Sequence, residues 1–261
     1  MAICVIVMGG GGRMGGTIAR LVQDALDLEL KAVLEQTGNI DKLAGFACLK
    51  SDDLAKILPQ APGAVIIDFT APAASLAAAR LAAAHGNPII IGTTGLDGIQ
   101  LAELAKLAEK NLVFQSPNMS VGINVLLEVL PKLVQLLGEP YDIELMEIHH
   151  NRKKDAPSGT ALRLAEALAE ARNWNLKETA TYCREGLIGE RPHEEIGVQT
   201  LRGGDVVGVH TAYFMGPGER IEVTHQAHSR ENFANGALRA VRWLISQKPG
   251  RIYNMQDCLR G

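Results

Sequence analysis

The densest chemistry in the chain lies in one run, His149-His150-Asn151-Arg152-Lys153-Lys154-Asp155-Ala156-Pro157-Ser158-Gly159-Thr160. Two imidazoles, groups that ordinarily titrate near neutral pH, and three cations stand within six residues. The run then passes through a proline into Ser-Gly-Thr, just ahead of an apolar-periodic segment from Ala161 to Ala171. That pattern predicts a helix start, with Asp155 or Ser158 as the N-cap. The open N–H groups of such a terminus, beside Lys153 and Arg152, favour a small anion, most simply a carboxylate. His149 and His150 add groups able to move a proton.

A basic run on its own is an ordinary solvated helix cap, so the preceding residues matter. Tyr141 to His150 alternates like a strand: Ile143, Leu145, Glu147 and His149 point one way, while Glu144, Met146, Ile148 and His150 point the other. A polar cluster at the end of a strand that feeds a helix is a frequent place for an active site in α/β proteins.

The elements that must position this run begin at the N-terminus. Residues 2 to 8 form a continuous apolar stretch, as in a strand buried on both faces of a parallel sheet, and end in Gly9-Gly10-Gly11-Gly12-Arg13-Met14-Gly15. A helix follows with Ile18, Leu21, Val22 and Leu26 on one face. Read as Gly10-x-Gly12-x-x-Gly15 or as Gly9-x-x-Gly12-x-x-Gly15, the turn lets a backbone approach a pyrophosphate at a helix N-terminus. The next strand, Leu30 to Leu34, ends in Glu35, about 20 residues beyond Gly15, where a carboxylate can bind a ribose 2′-hydroxyl. A carboxylate repels a 2′-phosphate and the adjacent Gln36 carries no charge, so the reading leans to NADH over NADPH.

The α/β alternation continues through strands at Ala64 to Phe69, Pro88 to Ile91 and Leu112 to Phe114. Thr70-Ala71-Pro72 opens one intervening helix, and Asp97 with Gln100 forms a capping pair for a second, running through Glu109. Asp68-Phe69-Thr70, Gly92-Thr93-Thr94-Gly95 and Ser116-Pro117-Asn118-Met119-Ser120 then fall on one sheet edge beside the glycine loop, which predicts a dinucleotide crevice. After Val121 the pattern changes to an apolar helix, Ile123 to Leu137, and then to the run described first. Strands follow at Thr181 to Arg184, Ile196 to Leu201, Val206 to Phe214 and Ile221 to His228, predicting a mixed or antiparallel sheet with helices on one face. The other face needs cover, which a second subunit would supply. A final helix, Asn232 to Ile245, and the tail Ile252 to Met255 are amphipathic enough to dock back on a domain, while Trp174 and Trp243 read as packing residues.

Composition sets the outer limits. The chain has 261 residues, 47% hydrophobic and 21% charged, which suits one large or two modest globular domains. A net charge of −3 gives no electrostatic footprint for nucleic acid. No run reaches the ~20 apolar residues that span a bilayer, and the first residues lack the positive start of a signal peptide, so a cytoplasmic protein is expected. Cys4, Cys48, Cys183 and Cys258 form no CxxC pair, so no metal site or disulfide framework is expected.

At this point the chain resembles the dihydrodipicolinate reductase (4-hydroxy-tetrahydrodipicolinate reductase) family. The resemblance covers essentially the whole length, through Gly-Gly-Arg-Met-Gly at 11–15, Ile-Asp-Phe-Thr at 67–70, Gly-Thr-Thr-Gly at 92–95, Pro-Asn-Met-Ser-Val-Gly at 117–122 and Asp-Ala-Pro-Ser-Gly-Thr-Ala at 155–161. Arg184-Glu185-Gly186, Gly203 to Asp205 and Phe233-Ala234-Asn235-Gly236 add to it. It implies an α/β fold with an N-terminal Rossmann dinucleotide-binding domain, residues 1–120 plus 231–261, and a C-terminal α+β domain, residues 121–230, that binds substrate and builds a homotetramer. It implies a dicarboxylate substrate in lysine and diaminopimelate biosynthesis, reduced with NADH or NADPH. By resemblance His149 is the acid/base group and Lys153 the proton donor, while His150, Ser158, Gly159 and Thr160 hold the substrate carboxylates. Gly9, Gly10, Gly11, Gly12, Arg13, Met14, Glu35, Phe69, Thr70, Gly92, Thr93, Thr94, Ser116, Pro117, Asn118 and Met119 become cofactor contacts. Gln36 stands where some members carry arginine, and Met119 where others carry phenylalanine. Two other readings compete: a protein that senses NADH without chemistry, and another Rossmann oxidoreductase of amino-acid metabolism such as homoserine dehydrogenase. The first leaves the His-His-x-x-Lys cluster without a use, and the second leaves Asp155 to Ala161 unaccounted for.

Overall fold

The computed structural model describes residues 2–261. The chain divides into two compact units, Met1–Val121 with Arg230–Gly261, and Gly122–Ser229. In order, the elements of the first part are β1 (Ile3–Met8), α1 (Arg13–Asp24), β2 (Leu28–Leu34), β3 (Leu49–Ser51), α2 (Leu54–Ile57), β4 (Val65–Asp68), α3 (Pro72–His85), β5 (Ile89–Ile91), α4 (Gly98–Ala108) and β6 (Val113–Gln115). Then come α5 (Val121–Leu137), β7 (Asp142–His149), α6 (Gly159–Ala171), α7 (Leu176–Thr179), β8 (Ala180–Thr181), β9 (Ile196–Arg202), β10 (Gly208–Gly216) and β11 (Glu219–Ala227). The chain closes with α8 (Glu231–Leu244), β12 (Ile252–Tyr253) and α9 (Met255–Arg260).

The first unit is a Rossmann-like sheet of seven strands in the order β12-β6-β5-β4-β1-β2-β3, every pair parallel. Its strands are apolar throughout because both faces are covered. Val5, Val7, Val65 and Ile67 pack with Ile18 and Val22 of α1 and Leu238 and Val241 of α8. Ile6, Ile66, Ile89 and Ile91 point the other way, against Leu76 and Ala79 of α3 and Leu104 of α4. Each such fully buried side chain contributes about 1.5–3 kcal/mol over its exposed state, so period-2 burial on both faces makes this sheet a stiff platform. Asp97 and Gln100 form a reciprocal capping box at the start of α4, and Gly86, left-handed at φ +71, ends α3.

The second unit is a mixed sheet of five strands in the order β11-β10-β7-β9-β8. β10 is antiparallel to β7 and β11, whereas β7–β9 and β9–β8 are parallel. One face carries Ile143, Leu145, Ile196, Val198 and Phe214 against Leu130 and Val134 of α5 and Leu164, Ala165 and Leu168 of α6. On the opposite face Met146, Ile148, Val209 and Tyr213 are only half-buried.

Four expectations need correction. α1 stops at Asp24, and Leu26 is fully exposed beyond it instead of lining the apolar face. The strand expected at Thr181 to Arg184 is only Ala180–Thr181, because Arg184 turns its guanidinium onto Glu144 (2.9 Å) and Glu195. The strand expected from Val206 starts at Gly208, since the Val206 carbonyl accepts the His150 N–H at 2.8 Å. The tail does more than pack: β12 extends the sheet in parallel beside β6, and Asn254 with Asp257 caps a further helix.

Candidate active site

Five strand ends present the expected cofactor residues. The glycine loop follows β1, Glu35 follows β2, Phe69 and Thr70 follow β4, Gly92 to Thr94 follow β5, and Ser116 to Met119 sit at the end of β6. Because these strands are neighbours in the order β6-β5-β4-β1-β2, residues remote in sequence share one edge. Both registers of the glycine motif are met. Gly9 has φ +72, and a Cβ on Gly10 would overlap Val33, while one on Gly15 would overlap the Gly9 carbonyl. Gly12 is the N-cap of α1 and supplies no side-chain acceptor, so the first-turn N–H groups are left to an outside anion. Glu35 accepts the Gly11 N–H at 2.9 Å and the Gln36 N–H at 2.8 Å, which sets its carboxylate over the loop. A cradle that side chains would fill, an uncapped helix start and an acid beside it fit a dinucleotide. Arg13, Thr94 and Pro117 are exposed, whereas Met119 is 1% exposed and packs into the core, with its carbonyl against Gly236.

Asp68, fully buried, ties this edge together. Its carboxylate accepts the hydroxyls of Thr70 (2.6 Å), Thr93 (3.0 Å) and Ser75, and the Thr93 hydroxyl in turn accepts the Thr70 N–H at 2.9 Å. Burial pushes the Asp68 carboxyl up from its ordinary range, and the hydrogen bonds from Ser75, Thr70 and Thr93 only partly oppose it. Gly92 is held by its N–H to the Asp68 carbonyl, and its missing Cβ leaves room for the Phe69 ring.

The second cluster sits where β7 runs out. Ser158, not Asp155, is the N-cap of α6: its hydroxyl accepts the Ala161 N–H at 3.2 Å. The same hydroxyl lies 3.2 Å from His210 Nε2, and the Ser158 N–H donates to Glu147 at 3.0 Å, so this 2% exposed residue is fully engaged within the protein. Gly159, exposed at the first helical position, and half-buried Thr160 form the part of the helix end that faces outward. Lys153 pairs with Asp155 at 2.9 Å, and its N–H closes a turn onto the His150 carbonyl. His150 and His149 lie on opposite faces of the strand end, both half-buried.

Glu147, Arg202 and His210 were not singled out from sequence, yet the sheet register brings them to the same place. Glu147 sits opposite His210 on β10 and Thr200 on β9, and His149 sits opposite Arg202. The Glu147 carboxylate, 1% exposed, meets His149 Nδ1 at 2.5 Å, both terminal nitrogens of Arg202 (2.7 and 2.8 Å) and the Thr200 hydroxyl (3.2 Å). Burial alone would raise its pKa, but the hydrogen bonds from His149, Arg202 and the Ser158 N–H win and hold it far below the usual carboxylate range. Burial pushes His210 down to about 3, so it is neutral at physiological pH. The available signal was a charged residue at an inward position of an apolar alternation, which is costly unless paired. Among the described residues, no group of three or more His, Cys, Asp or Glu is placed to hold a metal.

The arrangement can bind an anion at a helix N-terminus beside Lys153 and can transfer a proton through Lys153 or His149. Comparisons with known proteins cover nearly the whole chain. Residues 3–119 match the model described as dihydrodipicolinate reductase, N-terminus, and residues 122–259 match the model of its C-terminus, which runs past Arg230 where the chain re-enters the first unit. The 4-hydroxy-tetrahydrodipicolinate reductase of Nitratidesulfovibrio vulgaris (strain DP4) is 65% identical over 98% of this chain and 99% of its own. That of Lawsonia intracellularis is 53% identical over 99% of this chain and 100% of its own. A dipicolinate-bound dihydrodipicolinate reductase from Paenisporosarcina sp. TG-14 shares the fold, with a TM-score of 0.79 and 24% identity over 97% of this chain and 98% of that one. A nicotinamide cofactor follows from a reductase lineage with a Rossmann-like unit. Matched over nearly its full length by both models and by close relatives, the chain belongs to the dihydrodipicolinate reductase family.

Proposed function

We propose that this chain reduces 4-hydroxy-2,3,4,5-tetrahydrodipicolinate to 2,3,4,5-tetrahydrodipicolinate in lysine and diaminopimelate biosynthesis, with a nicotinamide as reductant. The observation that carries the reading is the end of β7, where His149 and Lys153 lead directly into the N-terminus of α6. The near-full-length identity to reductases of that name supports it.

The substrate is a cyclic imine with two carboxylates and a hydroxyl. Gly159 and Thr160 at the helix start, with Ser158 holding that turn in shape and His150 beside it, suit a carboxylate. Loss of water from the substrate leaves a conjugated double bond. The Gly9 to Met14 loop, Glu35, the Phe69-Thr70 and Gly92 to Thr94 turns and the Ser116 to Met119 loop would hold a nicotinamide, which would supply hydride when bound. Lys153 gives the proton that completes the reduction, and His149 tunes or relays it. Hydride and proton enter, and water leaves. Glu35 over the Gly11 N–H favours the free ribose hydroxyls of NADH, while Lys42, whose stem flanks Gly11, keeps NADPH within reach as the weaker substrate.

The proposal extends to a cytoplasmic homotetramer. Free cysteines suit a reducing compartment. The half-buried apolar face of the second sheet, Met146, Ile148, Val209 and Tyr213, suits a second copy. A monomer by light scattering would remove the tetramer.

The test is oxidation of NADH and of NADPH by the purified protein, with substrate made in place by the synthase that condenses pyruvate with aspartate semialdehyde. Synthase-dependent oxidation, faster per unit concentration with NADH, is the expected result. A folded protein that oxidises neither cofactor overturns the reading.

A further inference from the structure

We propose that Glu147 is the positioning residue of this site, a single buried carboxylate that sets the tautomer of His149 and ties that ring to the first turn of α6. The inference rests on the reading above for what His149 does, but its geometry stands apart from that reading. One oxygen, Oε2, faces His149 Nδ1 at 2.5 Å and Arg202 at 2.8 Å. The other, Oε1, accepts the Ser158 N–H at 3.0 Å, Arg202 at 2.7 Å and the Thr200 hydroxyl at 3.2 Å.

An ionised carboxylate only accepts hydrogen bonds, so the nitrogen facing Oε2 must carry a proton. The neutral ring is thereby fixed with Nδ1–H inward and a bare Nε2. Nε2 lies against Gly208, where a Cβ would stand only 3.1 Å away, so the ring has room because that strand begins with glycine. Arg202, pinned by its own bond to the Asp155 carbonyl at 2.7 Å, supplies the positive charge that keeps Glu147 ionised without taking the bond from His149. The acid–base ring and the carboxylate-binding turn therefore share one anchor, and displacing either disturbs the other.

The decisive substitution is Glu147→Gln. Glutamine has one carbonyl oxygen, which the Ser158 N–H and Arg202 hold on the Oε1 side, so its NH2 falls opposite His149 Nδ1 and donates to it. The neutral ring is then forced into the opposite tautomer, Nε2–H. Nitrogen-15 spectra of the histidine rings, with His149 assigned through His149→Gln and recorded where the ring is neutral, are expected to show Nδ1–H in the wild-type protein and Nε2–H in Glu147→Gln. An Nε2–H ring in the wild type overturns the proposal without any variant having to fold. In the synthase-coupled assay, Glu147→Gln is expected to lower kcat by about a hundredfold or more, within the range of general acid–base catalysis. On the His149→Gln background the same change should cost less than about threefold, because groups that act as a unit do not add. Fully additive losses, or a switched tautomer with unchanged kcat, overturn it as well. A wild-type protein that oxidises no cofactor refutes the assigned reaction, while the tautomer result still decides the anchoring role.

Discussion

Each unit has a carboxylate that is at most 1% exposed, Asp68 in one and Glu147 in the other, and the two are wired in opposite ways. Asp68 in the first unit is surrounded by hydroxyls from Thr70, Ser75 and Thr93. Glu147 in the second is surrounded by a guanidinium, an imidazole and a helix N–H. Both side chains are essentially inaccessible to water, yet the direction of their pKa differs: Asp68 is raised and Glu147 is lowered. Neutral donors soften the cost of burying a charge, whereas cations reverse it. The first arrangement stitches loops together on an edge built to hold a ligand. The second keeps a fixed negative charge beside a group that must carry a proton.

The largest effect should come from deleting the cation-bound member. Glu147→Ala leaves the half-buried Arg202 without its carboxylate and frees His149 and the Ser158 N–H, which should cost about 3–5 kcal/mol of stability. The sign with pH is fixed by the depressed pKa. Its contribution is complete above the unfolded-state pKa of about 4.3 and is lost as pH falls from there toward the folded value. Urea unfolding should show the full gap between wild type and variant at pH 7 and a smaller one below about pH 4. A gap that widens on acidification would break the contrast between the two carboxylates.

Next in size is the chemistry itself. Lys153→Ala and His149→Gln should each lower turnover by about two orders of magnitude with the fold intact. Cofactor affinity should be untouched, since the residues proposed to hold it lie in the other unit. Near wild-type turnover in either variant would show that the proton comes from elsewhere.

Why the sequence displayed His149 and Lys153 but hid Glu147 follows from the distance over which each is encoded. The glycine turn, its acid and the α6 start are written in contiguous residues, so period-2 and helical patterns reveal them directly. Glu147 is fixed as an ionised anchor by Arg202, 55 positions away, and by Ser158, 11 away, contacts that no local pattern records. The alternation did place Glu147 on the inward face with Ile143 and Leu145, and a charge there requires a partner. It could not say which strand would supply one. The same limit explains β12: a two-residue parallel strand carries too little sequence to stand out from an amphipathic tail. At Leu26 the apolar pattern simply ran past the helix end.

A smaller effect is expected on the ligand edge of the first unit. Gly15→Ala would drive a methyl into the Gly9 carbonyl, a backbone atom that cannot rotate away, and should cost about 1–3 kcal/mol while weakening cofactor binding. Thermal unfolding and titration with NADH would read the two consequences separately. Unchanged NADH affinity in a measurably destabilised variant would show that the glycine serves only helix packing.

The smallest effect, and the one that tests the comparison most closely, is Asp68→Asn. The three hydroxyls around residue 68 can both donate and accept, so an amide can replace the carboxylate without leaving a buried group unmet. Because the folded-state pKa of Asp68 is raised, its contribution to stability is present below the unfolded value of about 3.9 and is lost as pH climbs through the folded one. Asparagine does not titrate, so the variant should gain on the wild type as pH rises from about 4. Denaturation midpoints of the pair at pH 4.5 and pH 8 would show it, and wild type gaining on the variant at the higher pH would mean that Asp68 is stabilised by charge, as Glu147 is. Glu147→Gln admits no such substitution freedom, since Arg202 can only donate and its half-buried guanidinium would lose its counter-charge. Amide replacement should therefore be close to harmless at one buried acid and damaging at the other, even though the two side chains are equally hidden from solvent.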